Sequence, residues 1–223
     1  MMPLYFMLLD AARFEAEIRP ALAASWHARS FEPCRPLAQH IVQHARDLLH
    51  HEAASSEEPL LAKVARGLGF RRDLWAPVVG EVLLFGSAEL PELAVTPETL
   101  CCLLAPTAYA MENLTRVQYP AILQAHFGTR DLAFGGKVYR PEHAGLNDRG
   151  DVARLADYLA AIDPQTWSRA DLVSHRTCRD DDERDEELAD ARSWFPGLCD
   201  LYQRAKAHCH VVVTEVLNPG REL

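Results

Sequence analysis

Length, composition and charge place this chain among globular proteins and exclude several other classes. It has 223 residues, of which 48% are hydrophobic and 25% charged, and its formal net charge is −9. A chain of this length can bury a sizeable core, and this composition excludes a disordered protein. The acidic balance disfavours binding to nucleic acid or to anionic lipid. No stretch reaches the roughly 20 apolar residues that span a bilayer, so we expect neither a nucleic-acid nor a membrane partner.

The first residues and the cysteines predict a soluble, cytoplasmic protein. Residues 2–9 are apolar, but they lack the positive start and the small-residue cleavage site of a secretion signal. The six cysteines show no spacing typical of a disulfide framework. In a reducing compartment we expect such thiols to be small buried hydrophobes. They are Cys34, Cys101, Cys102, Cys178, Cys199 and Cys209.

The two ends of the chain each predict a β-strand. Residues 4–9 form a short apolar run that Asp10 stops, and residues 210–217 are rich in β-branched side chains. Two isolated strands cannot bury themselves, so we expect them to share a sheet that helices cover. The predicted class is therefore α+β, predominantly helical, with a small sheet that includes both terminal strands, in one domain over residues 1–223.

Between these strands the apolar residues mostly recur at helical spacing. Asp10 is expected to cap the first helix, and Pro20 to interrupt it. Gly69 is expected to end a later helix, and Thr96 to cap another that has Pro97 in its first turn. The segment 73–84 favours helix only weakly over strand. The predicted helices cover 11–24, 37–53, 60–68, 73–84, 98–104 and 108–127.

The last third of the chain combines irregular and helical patterns. Gly135, Gly136, Pro141 and Gly145 break the stretch 128–150, which predicts a loop or irregular strand with short strands at 132–134 and 137–139. An amphipathic helix is expected over 151–162. The acidic run 179–187 lacks the alternating ligands and the glycine of a calcium loop, and we interpret it as a solvated loop leading into a helix. We expect that helix to run from 187 to 207, with Pro196 opening a second one.

The common catalytic signatures are missing from the sequence. It has no phosphate-binding Gly-Lys-Ser loop, no dinucleotide fingerprint, no nucleophile elbow and no His-Glu-x-x-His pair. These absences lower the expectation of an enzyme without removing it, because many active sites have no local motif.

The most suggestive chemical pattern is a histidine stripe on the predicted helix 37–53. His40, His44, Asp47 and His51 recur at i, i+4, i+7 and i+11, which places them on one side of that helix. Imidazoles one turn apart can share a zinc or iron ion, and the carboxylate could be a third ligand or orient a ring. The alternative is an ordinary boundary between the buried and exposed faces.

Two weaker candidates accompany the stripe. In a strand, His208 and His210 would point away from Cys209, so the three could not easily meet one ion. A small-molecule pocket around Trp75, Tyr109 and Glu112 rests only on polar and aromatic content. We expect no cofactor, and in the metal alternative one zinc or iron ion.

The strand and helix pattern near the two ends resembles a known family. The segments that carry it are 137–142, 152–163 and 195–205, together with the valines at 211–213 and the N-terminal strand that leads into a helix. This arrangement resembles the YfbM-like family of uncharacterised bacterial α+β proteins. The resemblance implies a fold and no activity, and the histidine stripe departs from it.

Acidity and the lack of a catalytic signature together favour one functional class. We expect a non-enzymatic accessory or immunity-type factor that binds another protein. The alternative is a metal-dependent hydrolase that uses His40, His44, Asp47 and His51.

Overall fold

A four-stranded antiparallel sheet links the two ends of the chain. The structure, a computed structural model, describes residues 4–44, 58–109 and 114–216. The strands in chain order are β1 (Leu4–Asp10), β2 (Arg130–Asp131), β3 (Ala133–Phe134), β4 (Lys137–Val138), β5 (Ala144–Asn147) and β6 (His210–Val216). The sheet has the order β1-β6-β5-β2, and β3 and β4 form a separate hairpin.

The terminal strands pair directly, as the sequence predicts. Their antiparallel register runs from Leu4 opposite Val216 to Asp10 opposite His210. β-branched residues suit a buried strand, and β6 is buried along its whole length between β1 and β5. The predicted α+β class with a small sheet containing both ends is therefore confirmed.

Side chains alternate along β1 and β6 between two apolar cores, one on each face of the sheet. Met7, Leu9 and Val213 point into the first core, whereas Phe6, Leu8 and Val212 point into the second. Helices from residues 11–86 supply most of the first core, and helices from residues 97–207 supply most of the second. The sheet is thus the shared middle layer.

The described part of the chain contains nine helices besides short 3₁₀ turns. Helix α1 covers 11–28 as an α-helical turn, a π-helical turn (Phe14–Ile18) and a longer α-helical part (Arg19–Ala28). No described helix is both long and apolar enough to cross a membrane. The others are α2 (Arg35–His44), α3 (Leu60–Ala65), α4 (Trp75–Gly86), α5 (Pro97–Leu104), α6 (Pro106–Tyr109), α7 (Ala121–Phe127), α8 (Arg149–Ala160) and α9 (Asp181–Ala207).

Several helix boundaries differ from the prediction. Asp10 caps α1 through its Oδ1, which accepts from the Arg13 N–H at 2.7 Å, but Pro20 does not interrupt the helix. The π-helical turn precedes Pro20, and a proline in the first turn of the following segment loses no needed donor. Helix α3 ends before Gly67, whose φ of 105° makes it the left-handed residue there instead of Gly69.

His126 on α7 gives the fold a specific sensitivity to acid. It is fully buried, its Nδ1 lies 2.8 Å from the Ile122 carbonyl oxygen, and its Nε2 has no partner among the described residues. Burial lowers the pKa of His126 to about 4. In the unfolded chain the same imidazole binds a proton near pH 6.5. The free energy of unfolding is therefore unaffected by the titration of His126 above pH 6.5, and it decreases as the pH falls from 6.5 towards 4, because only the unfolded chain takes up the proton.

Replacing His126 with Leu should remove most of this pH dependence. From the lowered pKa, the wild-type protein should lose about 3 kcal/mol more between pH 7 and pH 4 than the variant. Urea unfolding at a series of pH values measures the difference. Plotted against pH, the free energies of unfolding of the two proteins should run parallel between pH 7 and 8 and diverge below pH 6.5. Plots that stay parallel down to pH 4 would contradict a buried neutral imidazole.

Candidate functional site

The described part of the histidine stripe lies at the end of α2. His40 and His44 are exposed, and their rings stack with centroids 4.2 Å apart. The Nδ1 of His44 lies 2.8 Å from the His40 carbonyl oxygen, so only its Nε2 is free to bind a metal. Asp47 and His51 lie outside the described residues. The metal site predicted on this helix therefore stays a prediction.

The weaker candidates do not form a common site in the described residues. The rings of His208 and His210 lie 5.7 Å apart, whereas Cys209 has a φ of 56° and its Sγ contacts the Arg149 guanidinium at 3.7 Å. Trp75 is buried in the first core. Tyr109 closes the described part of α6, and Glu112 lies outside it.

A different group of ligand-type side chains meets where the chain enters α9. Before that helix every third residue turns inward: Leu172, His175 and Cys178 are buried. The His175 N–H donates to the Leu172 carbonyl oxygen at 3.0 Å, which fixes the turn. The Sγ of Cys178 then lies 3.3 Å from the Nδ1 of His175. Glu187, in the second turn of α9, completes a group whose ligand atoms all lie within 4.8 Å of one another.

Thr99 of α5 orients two members of this group. Its hydroxyl is fully buried, donates to the Glu187 carboxylate and lies 3.1 Å from the His175 Nε2. A hydroxyl has only one hydrogen, so the His175 Nε2–H must donate to Thr99. The Nδ1 of His175 therefore carries a lone pair that faces the Cys178 thiol. The Thr177 hydroxyl also lies 3.2 Å from this nitrogen.

The surroundings of Cys178 favour its protonated thiol over the thiolate. Burial, with the charges of Glu187 and Glu183, raises the pKa of Cys178 above its usual value. With its proton in place the thiol can donate to the His175 Nδ1, which closes a chain of hydrogen bonds from Cys178 to Glu187. Chemically, the group offers one imidazole nitrogen, one sulfur and one carboxylate, all of which are zinc ligands.

The outer side of the same helix start is strongly acidic. Helix α9 begins at Asp181 and not at 187, because the Asp180 side chain accepts from the Glu183 N–H at 2.9 Å and caps it. The predicted solvated loop is thus the first turns of the helix. Three exposed carboxylates at i, i+4 and i+8 form what we call the acidic face: Asp182, Glu186 and Asp190.

Two cavities in the described part of the chain lie away from both features. One of about 510 Å³ opens where α1 meets the start of α8, and it brings Arg149 together with Glu15 and Asp148. A smaller one of about 100 Å³ lies beside Cys209 and His210. Neither is lined by the predicted His40 or His44.

Sequence reasoning missed the group at the start of α9. The one local signal is the spacing His175-x-x-Cys178, which is common among zinc ligands. Thr99 lies 76 positions before His175 and 88 before Glu187, so only the folded chain reveals their meeting.

Comparisons with known proteins add no relative. No family model, no curated protein and no solved structure matches this chain. The resemblance to the YfbM-like family accordingly stays a prediction.

Proposed function

We propose that this protein is a non-enzymatic accessory or immunity-type factor that binds a basic protein partner through the acidic face of α9. The observation that carries the proposal is the arrangement of Asp182, Glu186 and Asp190. All three are exposed, and none takes part in an ion pair among the described residues.

Helix stability does not account for these charges. A carboxylate in the first turn favours the positive end of the helix dipole, but the effect fades beyond that turn. Asp182 is in the first turn of α9, whereas Glu186 and Asp190 lie beyond it. Like charges four residues apart repel, at a cost of roughly 0.2–0.5 kcal/mol per pair. A basic partner would turn this repulsion into attraction and would speed association.

The neighbouring carboxylates have a structural task that the acidic face lacks. Asp181 and Asp185 pair with Arg169 at 3.7 and 3.2 Å, which holds the preceding segment Arg169–Leu172 against α9. Directly after that segment Val173 is 66% exposed. An apolar side chain with charged residues nearby fits the mixed composition of a transient protein interface.

The cysteines support a cytoplasmic location within this proposal. All six thiols are free, and four of them are buried. Free thiols persist in reducing compartments. The net charge of −9 favours a basic protein over a nucleic acid as the partner.

Neutralising the acidic face should weaken partner binding by at least about tenfold. Three exposed charge pairs at about 0.5 kcal/mol each amount to roughly that factor. The variant Asp182→Asn, Glu186→Gln, Asp190→Asn is compared with wild type as bait in lysate capture with quantitative mass spectrometry. The control, Glu17→Gln, Glu92→Gln, Asp157→Asn, removes the same charge at other exposed positions. Two of its carboxylates, Glu17 and Asp157, form exposed ion pairs, whose contribution to stability is small.

A basic protein should be enriched by wild type and by the control, and lost with the acidic-face variant. Its capture should also fall with added salt, which screens exposed charges. Equal capture by all three baits, or no basic protein above empty resin, would contradict the proposal. Both variants should unfold within about 0.5 kcal/mol of wild type, as surface substitutions usually do.

A further inference from the structure

We propose that His175, Cys178 and Glu187 bind one zinc ion that joins the chain before α9 to the second turn of that helix. The three ligand atoms already lie within 4.8 Å of one another. Zinc holds nitrogen and oxygen at about 2.0–2.2 Å and sulfur at about 2.3 Å, so neighbouring ligand atoms in a tetrahedral site are roughly 3.5 Å apart. The Sγ of Cys178 and the Nδ1 of His175, at 3.3 Å, are close to that separation.

The hydrogen bonds prepare each ligand atom for a cation. Because Thr99 accepts the Nε2–H of His175, the Nδ1 presents a lone pair, which is the tautomer a metal needs. Thr99 donates to the Oε1 of Glu187 and leaves its Oε2 available. Thr99 would thus orient both ligands from behind, as the outer partners of zinc ligands do.

Binding replaces a proton with the metal. The Cys178 S–H bond breaks, its electron pair forms the bond to Zn²⁺, and the proton leaves to solvent. The two negative ligands, the Cys178 thiolate and the Glu187 carboxylate, together balance the charge of the ion. His175 is 5% exposed and Cys178 is 8% exposed, so these ligands are largely removed from water, where charge neutralisation counts most.

The ligand set favours zinc over other common cations. Calcium and magnesium select oxygen ligands, whereas thiolate with imidazole selects zinc. The three ligands come from within 13 positions, 175 to 187, and the His-x-x-Cys spacing lets one turn of chain supply two of them. This site lies on the opposite end of the chain from the stripe at His40 and His44.

Elemental analysis of the full chain, purified without tag, chelator or added metal, tests the proposal. We expect about one zinc ion per chain in wild type, and less than about a tenth of that in Cys178→Ser, which loses the thiolate ligand. Two controls should keep the zinc: Cys199→Ser, which removes a thiol elsewhere, and the double variant His40→Ala, His44→Ala.

A second readout keeps the test decisive if Cys178→Ser does not fold. Wild-type protein from which zinc has been removed with a chelator and then titrated with Co²⁺ should show a thiolate-to-cobalt absorption band. The Glu187→Gln variant, treated in the same way and keeping the bond to Thr99, should bind Co²⁺ at least tenfold more weakly. Wild-type protein that holds no zinc and shows no such band would overturn the proposal, as would loss of zinc from the His40, His44 variant alone. These measurements need no partner, so they are independent of the acidic face.

Discussion

Replacing Asn147 with Leu is expected to lower the free energy of unfolding by about 3–5 kcal/mol, among the largest effects of a single substitution in this protein. Asn147 is fully buried at the end of β5. Its Oδ1 accepts from the backbone N–H and the hydroxyl of Thr129, and its Nδ2 donates to the Gln124 carbonyl oxygen and to the Tyr202 hydroxyl, all at 2.6–2.9 Å. Leu would leave several buried groups unpaired, at about 1–3 kcal/mol each.

The network around Asn147 joins the sheet to two helices of the second core. Tyr202 of α9 donates in turn to the Ala125 carbonyl oxygen of α7 at 2.6 Å, so one amide connects the sheet to two helices. Urea unfolding of Asn147→Leu, Tyr202→Phe and the double variant should therefore show strong coupling, of about 1 kcal/mol or more. Gln165→Leu, at an exposed position, should change stability by less than about 0.5 kcal/mol. Additive single effects would contradict a shared network.

Replacing Arg140 with Met should lower the free energy of unfolding by about 3 kcal/mol at pH 7, because it leaves a buried carboxylate without its cation. Glu215 on β6 is 5% exposed and pairs with Arg140, while the Tyr139 hydroxyl donates to it at 3.3 Å. Burial raises the pKa of Glu215, and Arg140 partly offsets that effect.

The cost of this substitution should depend on pH in a defined direction. A carboxyl whose pKa is raised in the folded state contributes stability below its unfolded pKa, and that contribution is lost as the pH rises through the folded pKa. Without Arg140 the pKa of Glu215 rises further, so the variant should approach wild type as the pH falls to 5.

Adding Glu215→Gln to Arg140→Met tests the cause. The neutral amide removes the uncompensated charge, so the double variant should regain most of the stability that Arg140→Met loses at pH 7. Arg71→Met, in an exposed pair with Asp73, should leave the unfolding midpoint unchanged. If Arg140→Met lowers the free energy of unfolding equally at pH 5 and pH 7, and Glu215→Gln restores none of it, an unpaired Glu215 charge is not the cause.

The sequence predicts the terminal strands well because both signals are local. β-branched runs and a stop at Asp10 are visible in the chain itself, and the pairing follows from the need to bury both strands. Strand β5 lies in the stretch 128–150, where Gly145 and other breakers predict a loop or irregular strand. A glycine is required at position 145 because a Cβ there would lie 1.8 Å from the Phe127 carbonyl oxygen, a contact that only the folded chain creates.

Prolines show why helix boundaries are harder to predict. The expected helix 108–127 is wrong, because α7 begins only after Pro120 and a 3₁₀ turn (Arg116–Gln118) precedes it. The expected break at Pro196 is also wrong, because α9 passes through it. Buried residues on both sides, Ala191 and Leu198 among them, pack one continuous face of α9 into the second core, and this packing outweighs the lost hydrogen bond.

The candidate site depends even more on tertiary contacts. The spacing of His175 and Cys178 is readable in the sequence, but their partner Thr99 belongs to α5 and looks there like an ordinary helical residue. The acidic run is visible in the sequence, but its helical structure is not. That structure places three exposed carboxylates on one side of α9. Both the group at His175 and the acidic face depend on the start of α9, which the Asp180 side chain caps.

The central claim, that the acidic face contacts a basic protein, is tested most directly by site-specific photo-cross-linking. A photoreactive residue is placed at position 186 in one protein and at position 92 in another, and each is irradiated in cells. We expect an adduct with a basic protein from position 186 that is absent from position 92 and is lost when Asp182 and Asp190 are neutralised. No adduct from position 186, or the same adduct from both positions, would contradict the account.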